Sequence, residues 1–593
     1  MSKDGQGRGG PKSRFPQRGA PSKGGARKKD ARGGDSRARG GPPKGRRDDR
    51  NGPQKGRDDR GGPPKGRDNR SGPPKGRDNR SGPPRGNKQD RGGPPRGNRQ
   101  DRGASRKPHP GGRDGPRKPH NVPWMDPDMP ITPDRWVGRG EAVFEGGAKP
   151  LLVWGGIPGE TGIVKMFRHG QNQDRARWLR AEEPHETRRE PPCDKYNRCG
   201  GCPLMHVVPE AQNDARLAMV QRLFDDQNLK LPLPTTVAAS PDGDENYRHV
   251  VKLACGRSDW GRPRLGAYGR DSHDVLPIPN CRVATSGLRR AMSTITHHVL
   301  DLEVYPYDEA EEKGVLRHVV VRQSRLTGEM LVTLVVARRS KILNDLADRI
   351  AESLAPVAGV HMHINEVPGN AIFNSDENGI RTTPLVGKRT IEDEIAGVRM
   401  QIGAADFFQA NPGTAELIVN DVLELTADMR ERPVVDLFCG VGTFTLPLAK
   451  VHPWVGGIEV VHGAVERGRE SARSLRLPVE FTVGPVAEKL PEMASRLRDA
   501  APIVVLDPSR KGLSEEAFEP IENLNPARLL YVSCNPASLA RDLRIWLDKG
   551  WSVDEIRAYD MFPQTAHLEL LAVLSPPAAP IPTTGGPRRR IVR

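Results

Sequence analysis

A cysteine in a strand-to-helix turn is the residue of this sequence best suited to covalent chemistry. Cys534 follows the apolar run 529–532 and precedes residues 537–543, whose apolar spacing is helical. Because Asn535-Pro536 ends the strand, we expect the thiol at the carboxyl end of a strand in an open α/β sheet, where reactive groups are exposed. A helix N-terminus beside the thiol is expected to lower its pKa and make Cys534 a nucleophile. The alternative for a lone cysteine is a small buried apolar residue.

Two carboxylates occupy positions suited to the same site. Glu569 interrupts the apolar run 568–574, and an unpaired carboxylate there would have its pKa raised toward the range of a general base. An edge-strand acid that points to water is the alternative. Asp507 follows the strand 503–506, and Pro508 fixes the backbone just past that strand, so Asp507 should face the cleft.

A glycine-rich turn indicates a bound nucleoside. The buried strand 433–438 leads into Cys439-Gly440-Val441-Gly442-Thr443, and a helix should begin at Phe444. About twenty residues on, Glu459 ends the next strand, where it can accept hydrogen bonds from ribose hydroxyls. Only two glycines are present, so S-adenosylmethionine, which has no pyrophosphate, fits better than NAD.

Three further thiols lie close together in the sequence, at Cys193, Cys199 and Cys202. This spacing lets the backbone curl around an ion or a cluster, and it differs from that of radical enzymes. The fourth ligand must come from afar: Cys281 is the best candidate, His206 is the rival for zinc, and Cys255 is placed like a strand core residue. Four thiolates suit an iron–sulfur cluster as well as zinc.

The positive charge of the chain lies mostly in its first part. Residues 1–120 of the 593 contain 36 Lys and Arg against 12 Asp and Glu, whereas the rest contain 57 against 63. A ten-residue repeat at 62–71 and 72–81, with looser copies from 41 to 103, has almost nothing apolar to bury. We therefore expect a disordered basic tail over 1–125, either an RNA-binding arm or a solubilising extension, and a second short tail over 579–593.

The middle of the chain predicts two further domains. Short apolar runs separated by Gly and Pro over 134–183 predict a small five-stranded β-barrel, a fold that commonly binds oligonucleotides. Residues 190–400 contain the clustered cysteines and then alternate strands with a helix at 342–354, which indicates an α+β domain. Residues 401–578 have the periodicity of a doubly wound sheet. Since no long apolar run or signal peptide is present, we expect a cytoplasmic protein with no membrane span.

Several motifs resemble the S-adenosylmethionine-dependent RNA uridine-5-methyltransferases. The resemblance spans roughly 134–575. It rests on Ala405-Asp406-Phe407-Phe408-Gln409-Ala410-Asn411, Asp436-Leu437-Phe438-Cys439-Gly440-Val441-Gly442, Asp507-Pro508-Ser509-Arg510-Lys511-Gly512-Leu513, Tyr531-Val532-Ser533-Cys534-Asn535-Pro536 and Phe562-Pro563-Gln564-Thr565-Ala566-His567-Leu568-Glu569.

This resemblance implies a role for each site residue. Cys534 would be the nucleophile that adds to C6 of uracil, and Glu569 the base that removes the C5 proton. The residues around S-adenosylmethionine would be Gln409, Phe438, Thr443, Glu459 and Asp507. The four ligands of a 4Fe–4S cluster, with zinc as the alternative, would be Cys193, Cys199, Cys202 and Cys281.

The combination of domains is most similar to bacterial members that modify 23S ribosomal RNA. Residues 134–183 resemble the family's TRAM barrel, the C-terminal domain its Rossmann-like methyltransferase fold, and the partner would be RNA bound by a monomer. Two positions depart from the family pattern: Ser509 replaces a more usual second Pro, and Pro485 stands where an Asp or Asn near the adenine is usual.

Other functions remain open at this point. Methylation of a transfer RNA uridine is one, and a non-catalytic RNA-binding ribosome-assembly factor is another. Methylation of an amino group would call for Asp-Pro-Pro-Tyr, where this chain has Asp507-Pro508-Ser509-Arg510. RNA cytosine-5 enzymes carry a second motif cysteine after a Pro, and Ser509 occupies that position here.

Overall fold

A computed structural model describes residues 130–369, 371–375, 379–497 and 500–577. The two predicted tails, 1–125 and 579–593, lie outside these residues. Among the described helices, none is long and apolar enough to cross a membrane.

The first folded part is a five-stranded sheet built from short, turn-bounded apolar runs. The strands lie in the order β1-β2-β3-β5-β4, and an isolated bridge joins Ile131 to Gly162 of β4. The bridge therefore connects the chain before β1 to the opposite edge of the sheet. Strand bounds are β1 Arg135–Val137, β2 Glu141–Phe144, β3 Leu151–Trp154, β4 Thr161–Arg168 and β5 Asp174–Glu183.

A loop-rich segment with the clustered cysteines follows and ends in helix α1, Pro209–Asp226. Pro209 begins this helix, a position where its missing N–H costs nothing. Val220 and Phe224 of α1 are buried in the same core as Trp546, near the end of the chain. The helix therefore covers part of the C-terminal sheet.

The central domain is a mixed seven-stranded sheet with two helices. The order β12-β11-β10-β9-β6-β7-β8 places β9 and β10, whose runs of Val are buried, near its middle. One shared core contains the apolar faces of α2 and α3 and this sheet. The bounds are β6 Val250–Arg257, β7 Pro263–Tyr268, β8 Val275–Leu276, α2 Ser286–Asp301, β9 Leu316–Gln323, β10 Met330–Val336, α3 Ile342–Ser353, β11 Val357–Ile364 and β12 Thr383–Gly387.

A hairpin and a helix lead from the central domain to the last one. Strands β13 (Thr390–Ile395) and β14 (Val398–Gly403) pair with each other, and α4 (Pro412–Leu425) follows. The alternating apolar residues of the hairpin belong to the same core as the C-terminal sheet.

The C-terminal domain is a doubly wound sheet in the order β17-β16-β15-β18-β19-β21-β20. Five strands are parallel, and the final pair is antiparallel because β20 returns directly into β21. Helices cover both faces, as buried, Val-rich parallel strands require. The bounds are β15 Val434–Leu437, α5 Thr445–Leu448, β16 Val455–Glu459, α6 His462–Leu475, β17 Val479–Val483, α7 Val486–Ala494, β18 Ile503–Leu506, α8 Glu515–Glu522, β19 Arg528–Ser533, α9 Pro536–Asp548, β20 Ser552–Tyr559 and β21 Glu569–Ser575.

Candidate active site

The register of the C-terminal sheet gathers the sequence-predicted residues at one edge. Leu437 pairs with Ile458 and with Leu506, and Ser533 pairs with Leu570. The residues just beyond these pairs therefore share the carboxyl edge of the sheet, where open α/β sheets bind ligands. We name this edge the strand-end cleft and define it by Phe438, Glu459, Asp507, Cys534 and Glu569.

The Cys534 turn is held by its neighbour Asn535. The Asn535 side chain accepts a hydrogen bond from the Ala537 amide at 3.3 Å, and its Nδ2 donates to the Arg510 carbonyl at 2.8 Å. It thereby caps α9 and ties the turn to the loop after β18. Cys534 is half-buried in this turn.

The electrostatic surroundings of Cys534 differ from the sequence-based expectation. Burial, with Glu569 and Asp507 nearby, raises the pKa of Cys534 to about 11, and the Arg510 charge opposes this shift. The expectation that the helix N-terminus lowers the pKa was wrong, because burial and two neighbouring carboxylates outweigh the helix end. Arg510, which the sequence analysis did not single out, is the nearby cation that favours the thiolate.

Glu569 is the buried carboxyl group beside the thiol. Its side chain is only 3% exposed at the start of β21, and in antiparallel register it lies opposite the position of Cys534. Burial and the Asp507 charge hold the pKa of Glu569 well above its usual range, although Arg510 acts in the opposite direction. The expectation of a raised pKa for this carboxyl is confirmed.

The glycine-rich turn and Glu459 form a cradle at the end of β15 and β16. Phe438 adopts a φ of 67°, which directs the chain sharply away from the strand into Gly440. Glu459 accepts hydrogen bonds from the Gly440 amide at 3.0 Å and from the Val461 amide at 2.9 Å. No atom lies within 4 Å of the position that a Cβ would take at Gly440, so the backbone there borders open space.

Asp507, at the end of β18, contacts Gln409 from the segment before α4. Gln409 Nε2 donates to Asp507 Oδ2 at 3.5 Å. Burial and the Glu459 charge raise the pKa of Asp507 to about 7. Thr443 lies half-buried in the glycine-rich turn. Asp436, the first residue of the motif 436–442, is fully buried, and it accepts a hydrogen bond from the Thr445 hydroxyl at 2.5 Å.

A hydrogen-bonded node at Gln564 supports the loop that leads to Glu569. The Leu204 amide donates to the Gln564 carbonyl at 3.0 Å, and the Gln564 amide donates to Gln212 Oε1 at 3.0 Å. The Gln564 side chain accepts from Arg189 at 2.8 Å and donates to Asp244 at 2.6 Å. Sequence reasoning missed this node because its partners lie more than 300 residues away; the only local signal is an uncharged polar residue beside a proline.

Four cysteines line one small cavity next to that node. The cavity has a volume of about 70 Å³ and is lined by Cys193, Cys199, Cys202 and Cys281, with Ile278 and Met205 among the apolar neighbours. We name it the cysteine cavity. Within the described residues, no group of three or more Cys, His, Asp or Glu side chains has the arrangement of a metal-ion site.

The two alternative ligands of the sequence analysis lie elsewhere. His206 is buried, and both of its ring nitrogens are engaged: Nδ1 with the Tyr196 hydroxyl at 2.7 Å and Nε2 with the Gly156 carbonyl at 3.2 Å. Cys255 packs against the core of the central domain. Neither side chain lines the cysteine cavity.

Comparisons with known proteins identify the family of this chain. A family model described as tRNA (Uracil-5-)-methyltransferase matches residues 496–575. An uncharacterized RNA methyltransferase of Halalkalibacterium halodurans is 32% identical over 445 residues, covering 74% of this chain and 94% of that protein. One from Listeria innocua is 31% identical over 436 residues, covering 72% and 92%.

A solved structure shares the fold. The tRNA (uracil-54, C5)-methyltransferase of Pyrococcus abyssi, in complex with S-adenosyl-L-homocysteine, superposes with a TM-score of 0.59 at 24% identity. The match covers 75% of this chain and all of that one.

Proposed function

The chain belongs to the family of RNA uracil-5-methyltransferases, which use S-adenosylmethionine, and we propose that it methylates C5 of a uridine in 23S ribosomal RNA. One observation carries the proposed chemistry: a half-buried thiol and a buried carboxyl group stand opposite each other at the ends of neighbouring strands. A thiol can add to a ring carbon, and a carboxylate can remove a proton from the adjacent carbon.

Cys534 is the proposed nucleophile. The thiol must first lose its proton. The raised pKa makes this loss costly, and the positive charge of Arg510 reduces the cost. The thiolate then forms a C–S bond at C6 of uracil, the electron pair of the C5–C6 double bond moves toward O4, and C5 becomes nucleophilic. Bound S-adenosylmethionine supplies an electrophilic methyl group on a positively charged sulfur.

Glu569 is the proposed base for the closing step. Its carboxylate accepts the proton from methylated C5, the electron pair restores the C5–C6 double bond, and the C–S bond breaks to return the Cys534 thiolate. A carboxyl with a strongly raised pKa is a stronger base than an exposed one once it is ionised. The target base has to be unstacked to reach both residues.

The methyl donor is proposed to lie between the glycine-rich turn and Asp507. Glu459 would accept hydrogen bonds from the ribose hydroxyls, with Phe438 and Thr443 beside the adenosyl group. Gln409 and Asp507 would face the methionine end of the donor. Support comes from the open space beside Gly440 and from the hydrogen bond between Gln409 and Asp507.

The cysteine cavity is proposed to hold a 4Fe–4S cluster. Four thiols around one small cavity fit a group that needs four cysteine ligands. A zinc ion is the alternative, since four thiolates also bind zinc, with Zn–S distances of about 2.3 Å. Iron content and the visible spectrum of anaerobically purified protein test this, since zinc would leave the protein colourless.

Ribosomal RNA is preferred over transfer RNA because of two features outside the C-terminal sheet. These are the five-stranded sheet at 135–183, proposed as a TRAM domain, and the cysteine cavity, a pairing that resembles the 23S-modifying members. Transfer RNA remains the second candidate, since the matching family model and the Pyrococcus abyssi enzyme are both described as acting on it.

One experiment separates these substrates. 5-Methyluridine is mapped in ribosomal and transfer RNA from a strain that lacks the gene and from the same strain carrying it again. We expect one position of 23S RNA to lose and regain the methyl group. Loss from transfer RNA alone would establish the second candidate, and no loss from either RNA would refute the proposed activity.

A further inference from the structure

A basic cleft lies between the five-stranded sheet and the hairpin formed by β6 and β7. Its volume is about 510 Å³, within the range of ligand-binding sites. Two carboxylates, Asp259 and Asp274, also line it. Its six cationic side chains are Lys165, Arg177, Arg198, Arg257, Arg264 and Arg270.

Most of these cations lack a neutralising partner. In the part of the chain that the structure describes, no ion pair is formed by Lys165, Arg177, Arg198 or Arg257. Arg175, next to the cleft on β5, is by contrast paired with Asp271 at 3.1 Å. Like charges lining one cleft repel each other, and a polyanion relieves that repulsion.

An exposed aromatic side chain follows directly after Asp259, which lines this cleft. Trp260 is 91% exposed at the tip of the β6–β7 hairpin. The tip is an ordered turn: the Ser258 amide donates to the Arg262 carbonyl and the Gly261 amide to the Ser258 carbonyl, both at 2.8 Å. Gly261 has a φ of 74°, which this turn requires. The hairpin thus presents an indole ring to solvent on a fixed support, as stacking platforms for bases do.

A second aromatic ring faces the same cleft from the opposite wall. Phe167 of β4 lines the cleft and is 49% exposed. Cations along a groove combined with exposed rings are typical of single-strand binding, because phosphates meet the charges and splayed bases meet the rings.

The cleft is connected to the active site through the cysteine segment. Arg198 lines the cleft, and Leu204 of the same segment is bonded to Gln564, five residues before Glu569. On the other side, β6 runs from Lys252, near Arg510, to Arg257 at the cleft. Five residues of strand span about 17 Å, a distance that a few extended nucleotides can cover.

We propose that the basic cleft binds a single-stranded stretch of the substrate RNA beside the target uridine, with Trp260 stacking on one unpaired base. This inference rests on the proposed function for its substrate but adds a binding site outside the strand-end cleft. Trp260 is a positioning residue, since it touches neither the reacting base nor the methyl donor.

The test measures binding of the full chain to a single-stranded oligouridylate of about 12 nucleotides and to a duplex of the same length. We expect Trp260→Ala to weaken single-strand binding about tenfold, and Trp260→Phe to restore most of it. Arg257→Gln should weaken binding and lower the salt dependence by about 0.7 in the log–log slope. Tryptophan fluorescence quenched by RNA in the wild type should be largely lost in Trp260→Phe.

Two variants provide matched controls. Arg430→Gln removes an exposed cation before β15, at the sheet edge opposite the strand-end cleft, and Tyr305→Ala removes an exposed ring of the central domain. Unchanged single-strand affinity and unchanged quenching in the Trp260 variants would overturn the inference. Binding is also measured in a Cys534→Ala background, so that the binding result can be interpreted even if the proposed methylation is wrong.

Discussion

The cysteine cavity and the strand-end cleft use the same functional group in different surroundings. In the cavity, four thiols face one another, and the one lining carboxylate, Asp194, is largely exposed and paired with Lys195 at 2.5 Å. In the cleft, one thiol stands beside the buried Glu569 and near Asp507. Sulfur among sulfurs suits a soft metal centre, whereas sulfur beside a carboxyl suits proton and carbon chemistry. The neighbours, and not the thiol, therefore distinguish the two proposed roles.

The largest expected effect comes from removing the thiol in the cleft. Cys534→Ala should reduce methyl transfer by on the order of 10⁴-fold or more, because the covalent addition to C6 is lost. The measurement is incorporation of labelled methyl groups into RNA, together with a denaturing gel for the protein–RNA adduct. Cys255→Ala, which removes a half-buried thiol of β6, is the matched control and should keep its activity. If the activity of Cys534→Ala lies within tenfold of the wild type, Cys534 is not the nucleophile, and the proposed difference in function between the cleft thiol and the cavity thiols is contradicted.

Removing the carboxylate should give a smaller loss with a different signature. Glu569→Gln is expected to slow turnover by about 10²–10⁴-fold, because no group then takes the C5 proton. The adduct forms but does not resolve, so it should accumulate on a denaturing gel. Glu519→Gln on the exposed face of α8 serves as the control. A Glu569→Gln protein with normal turnover and no trapped adduct would contradict the role of this residue.

The pH dependence of Cys534 alkylation sharpens the comparison. With a pKa of about 11, the thiol is protonated at neutral pH, and its reaction with iodoacetamide should rise as the pH approaches that value. Bound S-adenosylmethionine carries a positive charge, which favours the thiolate. At pH 8, Cys534 that the reagent can still reach should therefore be alkylated about ten- to a thousandfold faster with this cofactor than without it. S-adenosylhomocysteine, whose sulfur is neutral, is the control. If alkylation depends on pH in the same way with both ligands, the positive charge of the cofactor does not affect the pKa of the thiol.

The smallest effect on catalysis is expected from the cysteine cavity. Cys281→Ser should abolish bound iron but lower methyl transfer only about tenfold, less than the ~10²-fold cost of misplacing a reacting group by 1 Å. The reason is that no cavity cysteine belongs to the strand-end cleft. Iron content and activity are measured on the same preparation, with Cys255→Ser as the control. A loss as large as that of Cys534→Ala would show that the two regions are not separate in function.

The parts of the site that the sequence predicted are those set by local pattern. Each buried run of Val and Leu ends at a residue that breaks it, so Glu459, Asp507 and Cys534 could be placed at strand ends. Parallel register then brings them to one edge. The helix predicted at 342–354 is found at Ile342–Ser353.

What the sequence could not give depends on contacts between distant segments. The pKa of Cys534 is raised first by burial and then by Glu569, which comes near the thiol only through the pairing of β19 with β21. His206 was the rival ligand for zinc, but its hydrogen bonds to Tyr196 and Gly156 occupy both ring nitrogens. Contacts between residues so distant in the sequence leave no local pattern from which they could be predicted.

The bonds around Gln564 have a consequence for how the molecule can be divided. The final hairpin of the C-terminal sheet depends on Leu204, Gln212 and Asp244 for its polar partners, and on α1 for part of its apolar cover. A fragment cut at residue 400 would leave these buried groups unsatisfied and Trp546 less covered. The loop between β20 and β21 therefore reaches its working geometry only against segments that lie more than 300 residues earlier in the chain, and we expect the C-terminal domain to need them in order to fold correctly.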